Sequence, residues 1–256
     1  MQKIENSDDD VSKRVALVTG GSRGIGRAAC LKLAESATAI AVHYNRSSEG
    51  AEETVSSIRE MGVPACAIQA NLQEPDAGER LVRSVEKSLG PVAILVNNAA
   101  EFTDSPVVEM SDEAWNRTLA VNLSAVFQIS KSCLPGMKLQ GWGRIVNLSS
   151  QAAFSGSKYH AHYAATKSGV LGFTYSLAKE MGPFGITVNV VAPGRILTEM
   201  IQCELEERQE DWLEQTPVGR FGRPEEVAAA IGFLASEEAG YITGSVLNVS
   251  GGLVMG

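Results

Sequence analysis

Residues 14–27 read RVALVTGGSRGIGR, in which a short apolar run leads directly into a glycine-rich loop and then into a helical segment. Glycines permit a tight turn and a close approach of the backbone to a ligand, and a helix N-terminus presents free N–H groups to a phosphate. The spacing Gly20-x3-Gly24-x-Gly26 departs from G-x-G-x-x-G, so a glycine turn without a ligand remains the alternative. The stretch predicts a strand, a loop and a helix that together bind a dinucleotide.

Apolar runs of the same kind recur along the chain, each followed by a longer segment of helical period. We predict strands at 14–18, 39–43, 65–69, 92–96, 144–148, 186–191 and 246–249. We predict helices at 24–36, 48–62, 76–89, 112–137, 158–182 and 224–236. This alternation is typical of a parallel sheet with crossover helices on both faces. The fold class is therefore α/β, a doubly wound Rossmann-type sheet of seven parallel strands flanked by helices.

The domain organisation follows from the absence of any Pro/Gly/Ser-rich linker or fixed-period repeat in the sequence. We expect a single domain over residues 13–256, preceded by a disordered leader at 1–12. The segment 197–216 carries seven carboxylates against one basic residue, Arg208. Because it is inserted between the sixth strand and the last helix, we interpret the region of about 195–216 as a mobile lid over the substrate.

Composition excludes several classes of function. A net charge of −8 provides no basic surface for nucleic acid. No apolar stretch approaches the roughly 18 residues that a membrane helix needs, and the acidic run Asp8-Asp9-Asp10 is unlike the start of a secretory signal. The four cysteines are far apart and no histidine stands at metal-ligand spacing, which indicates buried free thiols and no metal site. We expect a cytoplasmic protein.

The residues after the second predicted strand bear on the choice of cofactor. A site specific for NAD carries an acidic residue about 20 positions after the glycine loop, which binds the adenosine ribose. Here residues 43–47 read HYNRS, with no carboxylate before Glu49. Arg46, together with Arg23 of the glycine loop, would instead hold a 2′-phosphate, which predicts NADP(H). Two merely solvated arginines are the alternative.

A candidate catalytic group lies in the second half of the chain. Tyr163 and Lys167 stand at i and i+4, on one face of a helix, where a cation favours the phenolate form of the tyrosine. Packing of a tyrosine on a lysine stem is the alternative for this pair alone. Ser150 follows the strand predicted at 144–148, and ligands bind at the carboxyl ends of such strands. We therefore expect Ser150 and Tyr163 to meet the oxygen of a substrate carbonyl.

Further motifs occur in a matching order: Asn97-Asn98-Ala99 after the fourth strand, Asn122 within VNLSAVF, and Pro193-Gly194 after the sixth strand. With the glycine loop, Ser150, Tyr163 and Lys167, they resemble the short-chain dehydrogenase/reductase family in its TGxxxGxG form. The resemblance extends over residues 13–252. It implies that Tyr163 protonates a carbonyl oxygen as hydride arrives, that Ser150 orients this oxygen, that Lys167 binds the nicotinamide ribose, and that Asn122 anchors a proton-relaying water.

The resemblance also implies a set of cofactor-binding residues, which come from the glycine loop and from the carboxyl ends of the strands. They are Gly20, Ser22, Arg23, Gly24, Ile25, Gly26, Asn45, Arg46, Ser47, Asn71, Leu72, Asn98, Ala99, Ala100, Tyr163, Lys167, Pro193, Gly194, Ile196 and Thr198. Two of them depart from the family pattern: Ala100 stands where NNAG has its glycine, and Asn71 stands where an aspartate near the adenine is frequent. Neither departure touches the proton-transfer residues.

Three readings of the function remain open. Within the family the chain is most similar to 3-oxoacyl-acyl-carrier-protein reductases, which favours an NADPH-dependent reductase of 3-oxoacyl thioesters. An acidic carrier protein would need basic residues at the entrance, and the stretches 139–142 and 182–185, which we expect to flank it, have none. The second reading is a reductase or dehydrogenase of a small or cyclic ketone, a hydroxysteroid or a sugar. The third is a nucleotide-binding protein without turnover.

The remaining expectations concern the substrate pocket and the assembly. A small-molecule carbonyl or alcohol is the expected substrate, and the resemblance implies a homotetramer, or a homodimer, built from the last strand and the helices at 112–137 and 158–182. The candidates for lining the substrate pocket are Glu101, Phe102, Gln151, Ala152, Phe154, His160, Arg195 and Met200.

Overall fold

A computed structural model describes residues 14–255, except for the side chains of Met200 and of residues 203–207. The leader predicted at 1–12 lies outside the described residues. Within 14–255, seven strands form one parallel sheet in the order β3-β2-β1-β4-β5-β6-β7, which confirms the predicted fold class. The strands are β1 (Val15–Val18), β2 (Ala39–Tyr44), β3 (Ala65–Gln69), β4 (Val92–Asn97), β5 (Gly143–Leu148), β6 (Ile186–Pro193) and β7 (Val246–Val249).

Helices connect the strands, mostly where the sequence predicts them. They are α1 (Gly24–Ala34), α2 (Ser48–Glu60), α3 (Ala77–Leu89), α4 (Asp112–Leu119), α5 (Ala125–Gln140), α6 (Ala152–Ser155), α7 (Ala161–Met181), α8 (Glu199–Glu214) and α9 (Pro224–Leu234). The short helix α6 was not predicted. The predicted lid forms α8, and its mobility stays a prediction.

The helix predicted at 112–137 is wrong in one respect, because the structure divides it. Helix α4 ends at Leu119, a π-helical turn occupies Ala120–Ser124, and α5 begins at Ala125. A π turn admits an extra residue and so rotates the following side chains around the helix axis. Asn122, in the middle of this turn, is completely buried as a result.

The core lies on both faces of the sheet. One face packs on α1, α2 and α9 through residues such as Val18, Ile40 and Ile231, and the other packs on α3, α5 and α7 through Leu17, Leu95 and others. Strand β1 is buried along its whole length, as expected of a parallel strand covered on both faces. Burial of each such aliphatic side chain contributes about 1.5–3 kcal/mol.

Cysteines and acidic groups of the described residues form no metal site. Cys30 and Cys133 are buried free thiols and Cys66 is half-buried, and burial raises the pKa of all three thiols. Cys203 has no described side chain. No group of three His, Cys, Asp or Glu side chains within the described part could hold a metal ion, and no helix there is long and apolar enough to cross a membrane.

Candidate active site

The strand order determines where a cleft opens. The chain runs outward from β1 to β3 on one side and from β4 to β7 on the other, so the connections after β1 and β4 leave the sheet in opposite directions. Ligands bind at such a switch point. A cleft of about 1000 Å³ opens there. Fourteen of the predicted cofactor residues line it: Gly20, Ser22, Arg23, Gly24, Ile25, Gly26, Asn45, Arg46, Ser47, Leu72, Asn98, Ala99, Ala100 and Thr198.

The glycine loop needs its glycines for two different reasons. Gly20 has φ +67, in the left-handed region that side chains disfavour. At Gly26 a Cβ atom would lie only 2.0 Å from the carbonyl oxygen of Gly20. The first turn of α1 therefore packs directly against the loop, which leaves the backbone N–H groups at the start of the helix facing the cleft.

The two arginines predicted to bind a 2′-phosphate both line the cleft. Arg46, just after β2, is exposed. Arg23 has a side chain that is 68% exposed and lies 3.0 Å from the carboxylate of Glu199, at the first residue of α8. An ion pair therefore links the glycine loop to the predicted lid across the edge of the cleft.

The other predicted cofactor residues do not line this cleft. Asn71 accepts a hydrogen bond from the N–H of Gln73 (3.2 Å) within its own turn. Pro193 ends β6 and Gly194 follows it, where the Gly194 N–H donates to the carbonyl oxygen of Val249 (3.0 Å), and Ile196 is buried. Tyr163 and Lys167 are buried in α7. The predicted contacts of these residues with a cofactor stay predictions.

Three of the predicted catalytic residues lie together at the carboxyl end of β5. Tyr163, in the first turn of α7, is only 8% exposed and hydrogen-bonds with Ser150. Burial raises the pKa of the Tyr163 phenol, and the hydrogen bond with Ser150 opposes this effect. The sequence led us to expect a lowering by Lys167, but burial has the larger effect here. The phenol therefore carries its proton near neutral pH, as a proton donor must.

Lys167 lies one helical turn after Tyr163 and is itself buried. Its Nζ donates to the carbonyl oxygen of Leu148 at 2.8 Å and lies 5.6 Å from the centre of the Tyr163 ring. Burial lowers the pKa of Lys167 to about 8. The ammonium form still predominates at pH 7, so a positive charge adjoins the phenol ring.

Asn122, the fourth predicted catalytic residue, uses its whole side chain to hold a loop. Its Oδ1 accepts from the N–H of Glu101 (2.7 Å) and its Nδ2 donates to the carbonyl oxygen of the same residue (2.9 Å). The carboxylate of Glu101 in turn pairs with Arg117. The side chain of Asn122 thus fixes the segment after β4, and its role in binding a water stays a prediction.

The rings of Phe102 and His160 pack beside Tyr163. Phe102 stacks on His160 with ring centres 4.1 Å apart, and it meets Tyr163 edge-on at 4.9 Å. His160 is buried, and its Nε2 lies 2.5 Å from the carboxylate of Asp104. The N–H of Ser105 donates to the carbonyl oxygen of Tyr159 (2.8 Å). The segment after β4 and the segment before α7 are therefore joined next to Tyr163.

The remaining candidates for lining the substrate pocket differ in their burial and in their hydrogen bonds. Gln151 donates its N–H to Pro193 (3.0 Å), Ala152 is buried and Phe154 is 45% exposed. Arg195 lies at the start of the predicted lid and binds its end, because it donates to the carbonyl oxygen of Trp212 (2.6 Å) and to Gln215 (2.6 Å). The side chain of Met200 is not among those described.

Comparisons with known proteins agree with this geometry. A sequence model of the family described as enoyl-(acyl carrier protein) reductase matches residues 20–254. The chain belongs to the short-chain dehydrogenase/reductase family. Among members, a 3-oxoacyl-[acyl-carrier-protein] reductase of Staphylococcus aureus is 42% identical over 240 residues, which is 94% of this chain and 98% of the relative. Nodulation protein G of Azospirillum brasilense is 37% identical over 243 residues, which is 95% of this chain and 99% of the relative.

Solved structures of short-chain dehydrogenase/reductases have the same fold. A protein of Agrobacterium tumefaciens, provisionally assigned as a 2-deoxy-D-gluconate 3-dehydrogenase, superposes with a TM-score of 0.87 and is 34% identical. A Beutenbergia cavernae protein, provisionally assigned as an NAD(P)-dependent gluconate 5-dehydrogenase, has a TM-score of 0.88 and the same identity. In both cases the match spans 95% of this chain and 97% of the other, and both structures contain bound NADP.

Several cleft residues of this short-chain dehydrogenase/reductase were not predicted from the sequence. They are His43, Tyr44, Gln73, Arg117, Val121 and Glu199. His43 and Tyr44 end β2, so their position at the carboxyl end of a strand was a signal that could have identified them. Arg117 and Val121 reach the cleft from α4 and the π turn, and nothing local in the sequence indicates this.

One expectation about the entrance is wrong. The stretches 139–142 and 182–185 lie where α5 and α7 end and where β5 and β6 begin. In a parallel sheet this is the amino edge, opposite to the edge that carries Ser150 and Tyr163. Their lack of basic residues therefore says nothing about the entrance within one chain.

Proposed function

We propose that this short-chain dehydrogenase/reductase reduces a ketone to a secondary alcohol with NADPH, and that Tyr163 is the proton donor. The observation that carries the proposal is the arrangement of Ser150, Tyr163 and Lys167 at the carboxyl end of β5, on the same edge of the sheet at which the cleft opens. Bound NADPH would supply the hydride. The glycine loop fits its pyrophosphate, because the absence of a Cβ atom at Gly26 lets α1 begin directly against Gly20, and Gly24, Ile25 and Gly26 at the helix N-terminus line the cleft.

The proton transfer follows from the ionisation states of the site. A substrate carbonyl oxygen that accepts hydrogen bonds from Ser150 and Tyr163 develops negative charge as its carbon is reduced. Tyr163 is protonated at neutral pH because burial raises its pKa, so it donates the proton to this oxygen. The ammonium group of Lys167 stabilises the resulting phenolate. Once a ribose hydroxyl is present, Lys167 would exchange its bond with Leu148 for one to that hydroxyl.

The choice of NADP(H) over NAD(H) rests on charge. Arg46 and Arg23 line the part of the cleft next to β2, where a 2′-phosphate would lie. No carboxylate follows β2 before Glu49, so nothing there repels the phosphate or binds a free ribose 2′-hydroxyl.

For the substrate, we propose a 3-oxoacyl thioester. The support is the 42% identity to a 3-oxoacyl-[acyl-carrier-protein] reductase across nearly the whole chain. A small cyclic ketone, a hydroxysteroid or a sugar is the second candidate, favoured by the structural likeness to two proteins assigned as sugar-acid dehydrogenases. The complete set of Ser150, Tyr163 and Lys167 disfavours a binding protein without turnover.

A substrate panel separates these candidates. NADPH oxidation would be followed with acetoacetyl-CoA, a 3-oxoacyl carrier protein, an enoyl thioester, cyclic ketones and keto sugar acids. Activity on the 3-oxoacyl thioesters alone supports the first candidate, and activity on the keto sugar acids or cyclic ketones alone replaces it with the second. If NADPH binds but none of these carbonyls is reduced, the enzymatic proposal is wrong.

The role of Tyr163 is tested by Tyr163→Phe. We expect kcat to fall by roughly 100-fold or more, because general acid catalysis contributes about that factor, while the Kd for NADPH stays unchanged. Tyr175→Phe on the same helix is the control, since Tyr175 is exposed away from Ser150. A Tyr163→Phe variant that retained kcat would rule out the assigned role.

We also propose that the chain assembles as a homotetramer or a homodimer. Phe127 of α5 is half exposed and contacts Phe173 of α7 edge-on, so the two helices share an aromatic face that a second copy could cover. Sedimentation velocity should show a multimer that Phe127→Glu dissociates, and a monomer at all concentrations would overturn the proposal. The cytoplasmic location and the single domain over 13–256 stay predictions.

A further inference from the structure

His43, at the carboxyl end of β2, bridges the ends of three neighbouring strands. Its ring is buried, with 2% of its surface exposed. The Nδ1 atom accepts a hydrogen bond from the N–H of Gly20 (3.1 Å), directly after β1. The Nε2 atom lies 3.1 Å from the carbonyl oxygen of Ala70, directly after β3. The backbone carbonyl of His43 accepts from Gly21 (2.8 Å).

These partners determine the protonation state of the ring. The N–H of Gly20 can only donate and the carbonyl oxygen of Ala70 can only accept, so Nδ1 must be bare and Nε2 must carry the hydrogen. Burial lowers the pKa of His43 to about 4, so the imidazole is neutral around pH 7. A neutral ring in one tautomer is thus fixed between the glycine loop and β3.

Gly20 is held from its other side as well. Asn98, after β4, donates from Nδ2 to the carbonyl oxygens of Thr19 (2.9 Å) and Gly20 (3.1 Å). The N–H of Gly20 is bound by β2 and its carbonyl oxygen by the segment after β4. Since Gly20 has the left-handed φ on which the loop turns, these two contacts fix the direction in which the loop leaves β1.

We propose that His43 is a positioning residue that holds the glycine loop, through the hydrogen bond from Gly20 to Nδ1, in the conformation that receives the pyrophosphate of the dinucleotide. The inference rests on the proposed function, because it assumes that a dinucleotide binds in the cleft. Pyrophosphate is common to NADPH and NADH, so His43 affects both cofactors alike. Arg46, in contrast, would affect only the cofactor with a 2′-phosphate.

Two amide substitutions separate the two hydrogen bonds of the ring. In His43→Asn the side-chain oxygen takes the place of Nδ1 and can accept from Gly20, but nothing reaches Ala70. In His43→Gln the terminal amide nitrogen takes the place of Nε2 and can donate to Ala70, but the Gly20 N–H loses its acceptor. Each variant leaves one buried backbone group without its partner. We therefore expect the two variants to lower the free energy of unfolding by similar amounts.

The experiment measures the Kd for NADPH and for NADH by fluorescence titration, with thermal unfolding as the check on folding. We expect His43→Asn to bind both cofactors within about twofold of the unchanged protein, and His43→Gln to bind both roughly tenfold more weakly, the factor given by one lost buried hydrogen bond. Arg46→Ala serves as the control that weakens NADPH alone. Equal Kd values for the Asn and Gln variants would show that His43 is only structural.

A second measurement needs no variant. Hydrogen exchange of the peptide that contains Gly20 and Gly21 should be slow in the unchanged protein before NADPH is added, because both N–H groups already have partners. Rapid exchange that becomes slow only with NADPH would overturn the inference. An unchanged protein that bound neither dinucleotide would instead overturn the proposed function, and the inference with it.

Discussion

Arg46 and Arg23 enter the cleft from two different loops, one after β2 and the other within the glycine loop. Guanidinium groups bind a phosphate through charge-assisted hydrogen bonds, which are about twice as strong as neutral ones. Arg46 is exposed, so the proposed contact with a 2′-phosphate breaks no core interaction. We therefore expect that a substitution at this residue alters cofactor choice without affecting the fold.

We expect Arg46→Asp to lower kcat/KM for NADPH by about 10- to 100-fold, because it replaces an attractive charge with a repulsive one. The value for NADH should rise, since a carboxylate after β2 can accept from the ribose hydroxyls. Arg83→Asp, an exposed position on α3, is the control. Equal kcat/KM for the two cofactors in the unchanged enzyme would contradict the premise.

Acid should destabilise the protein through His43. Its pKa is about 4 in the folded chain and about 6.5 when unfolded, so the unfolded state binds more protons between these values. The contribution of the neutral His43 ring to the free energy of unfolding is fully present above pH 6.5 and is lost as the pH falls to 4. Between pH 7 and pH 4.5 the free energy of unfolding should fall by about 2 kcal/mol more in the unchanged protein than in His43→Asn. Denaturant titrations at both pH values test this, and equal losses in the two proteins would refute it.

At the scale of a single element, helix α8 and the residues just before it contact several other segments of the chain. The segment before it pairs with Gly222, where Leu197 donates to the Gly222 carbonyl at 2.9 Å. Its last turn is held by the bonds from Arg195 to Trp212 and Gln215. Its first residue, Glu199, pairs with Arg23. The last turn of α8 is thus bound to Arg195 at the start of the predicted lid, and the ion pair between Glu199 and Arg23 joins the lid to the glycine loop at the cleft.

Glu199→Gln should strengthen NADPH binding. The substitution frees Arg23 for a 2′-phosphate, and an exposed ion pair is worth at most about 1 kcal/mol, so we expect a gain of up to about fivefold in Kd. The gain should shrink at high salt, which screens exposed charges, and it should be smaller for NADH. Titrations of Glu199→Gln beside Glu214→Gln, an exposed carboxylate at the other end of α8, measure it. Weaker NADPH binding would show that Glu199 supports the site.

On the scale of the whole molecule, a cluster of charged and aromatic side chains closes the amino edge of the sheet. The guanidinium groups of Arg14 and Arg144 both lie against the indole ring of Trp142, 4.0 Å and 4.3 Å from its centre. Arg144 is only 3% exposed and donates to the backbone of Ser236 at 3.1 Å. Glu237 binds both arginines and accepts from the indole N–H (3.2 Å). One carboxylate therefore joins segments from the start, the middle and the end of the described chain.

We expect Glu237→Gln to lower the free energy of unfolding by about 1–2 kcal/mol, because the buried guanidinium of Arg144 loses its carboxylate while Glu237 itself is half exposed. Catalysis should be unaffected, since the cluster lies at the edge opposite Tyr163. Glu180→Gln, an exposed carboxylate on α7, is the control for the loss of one charge. Denaturant unfolding that gave the same midpoint for both variants would show that the cluster adds no stability.

Much of the architecture is encoded by short-range patterns in the sequence. The seven strands, the glycine loop and the i, i+4 spacing of Tyr163 and Lys167 can be predicted because hydrophobic period, turn chemistry and helix geometry act over a few residues. Even Ser150 beside Tyr163 follows from a general rule, since parallel strands bring their carboxyl ends to one edge. The sequence by itself determined the fold, the family and the candidate proton-transfer residues.

Only the tertiary structure decided which groups from distant parts of the chain meet at the site. His43 meets Gly20, Asn122 meets Glu101, and Arg23 meets Glu199, at separations of 23, 21 and 176 residues. No local pattern encodes such pairs, because they depend on the strand order and on the π turn that rotates Asn122 inward. The same reason explains why burial, and not the charge of Lys167, dominates the pKa of Tyr163: burial depends on how the whole chain packs around the residue.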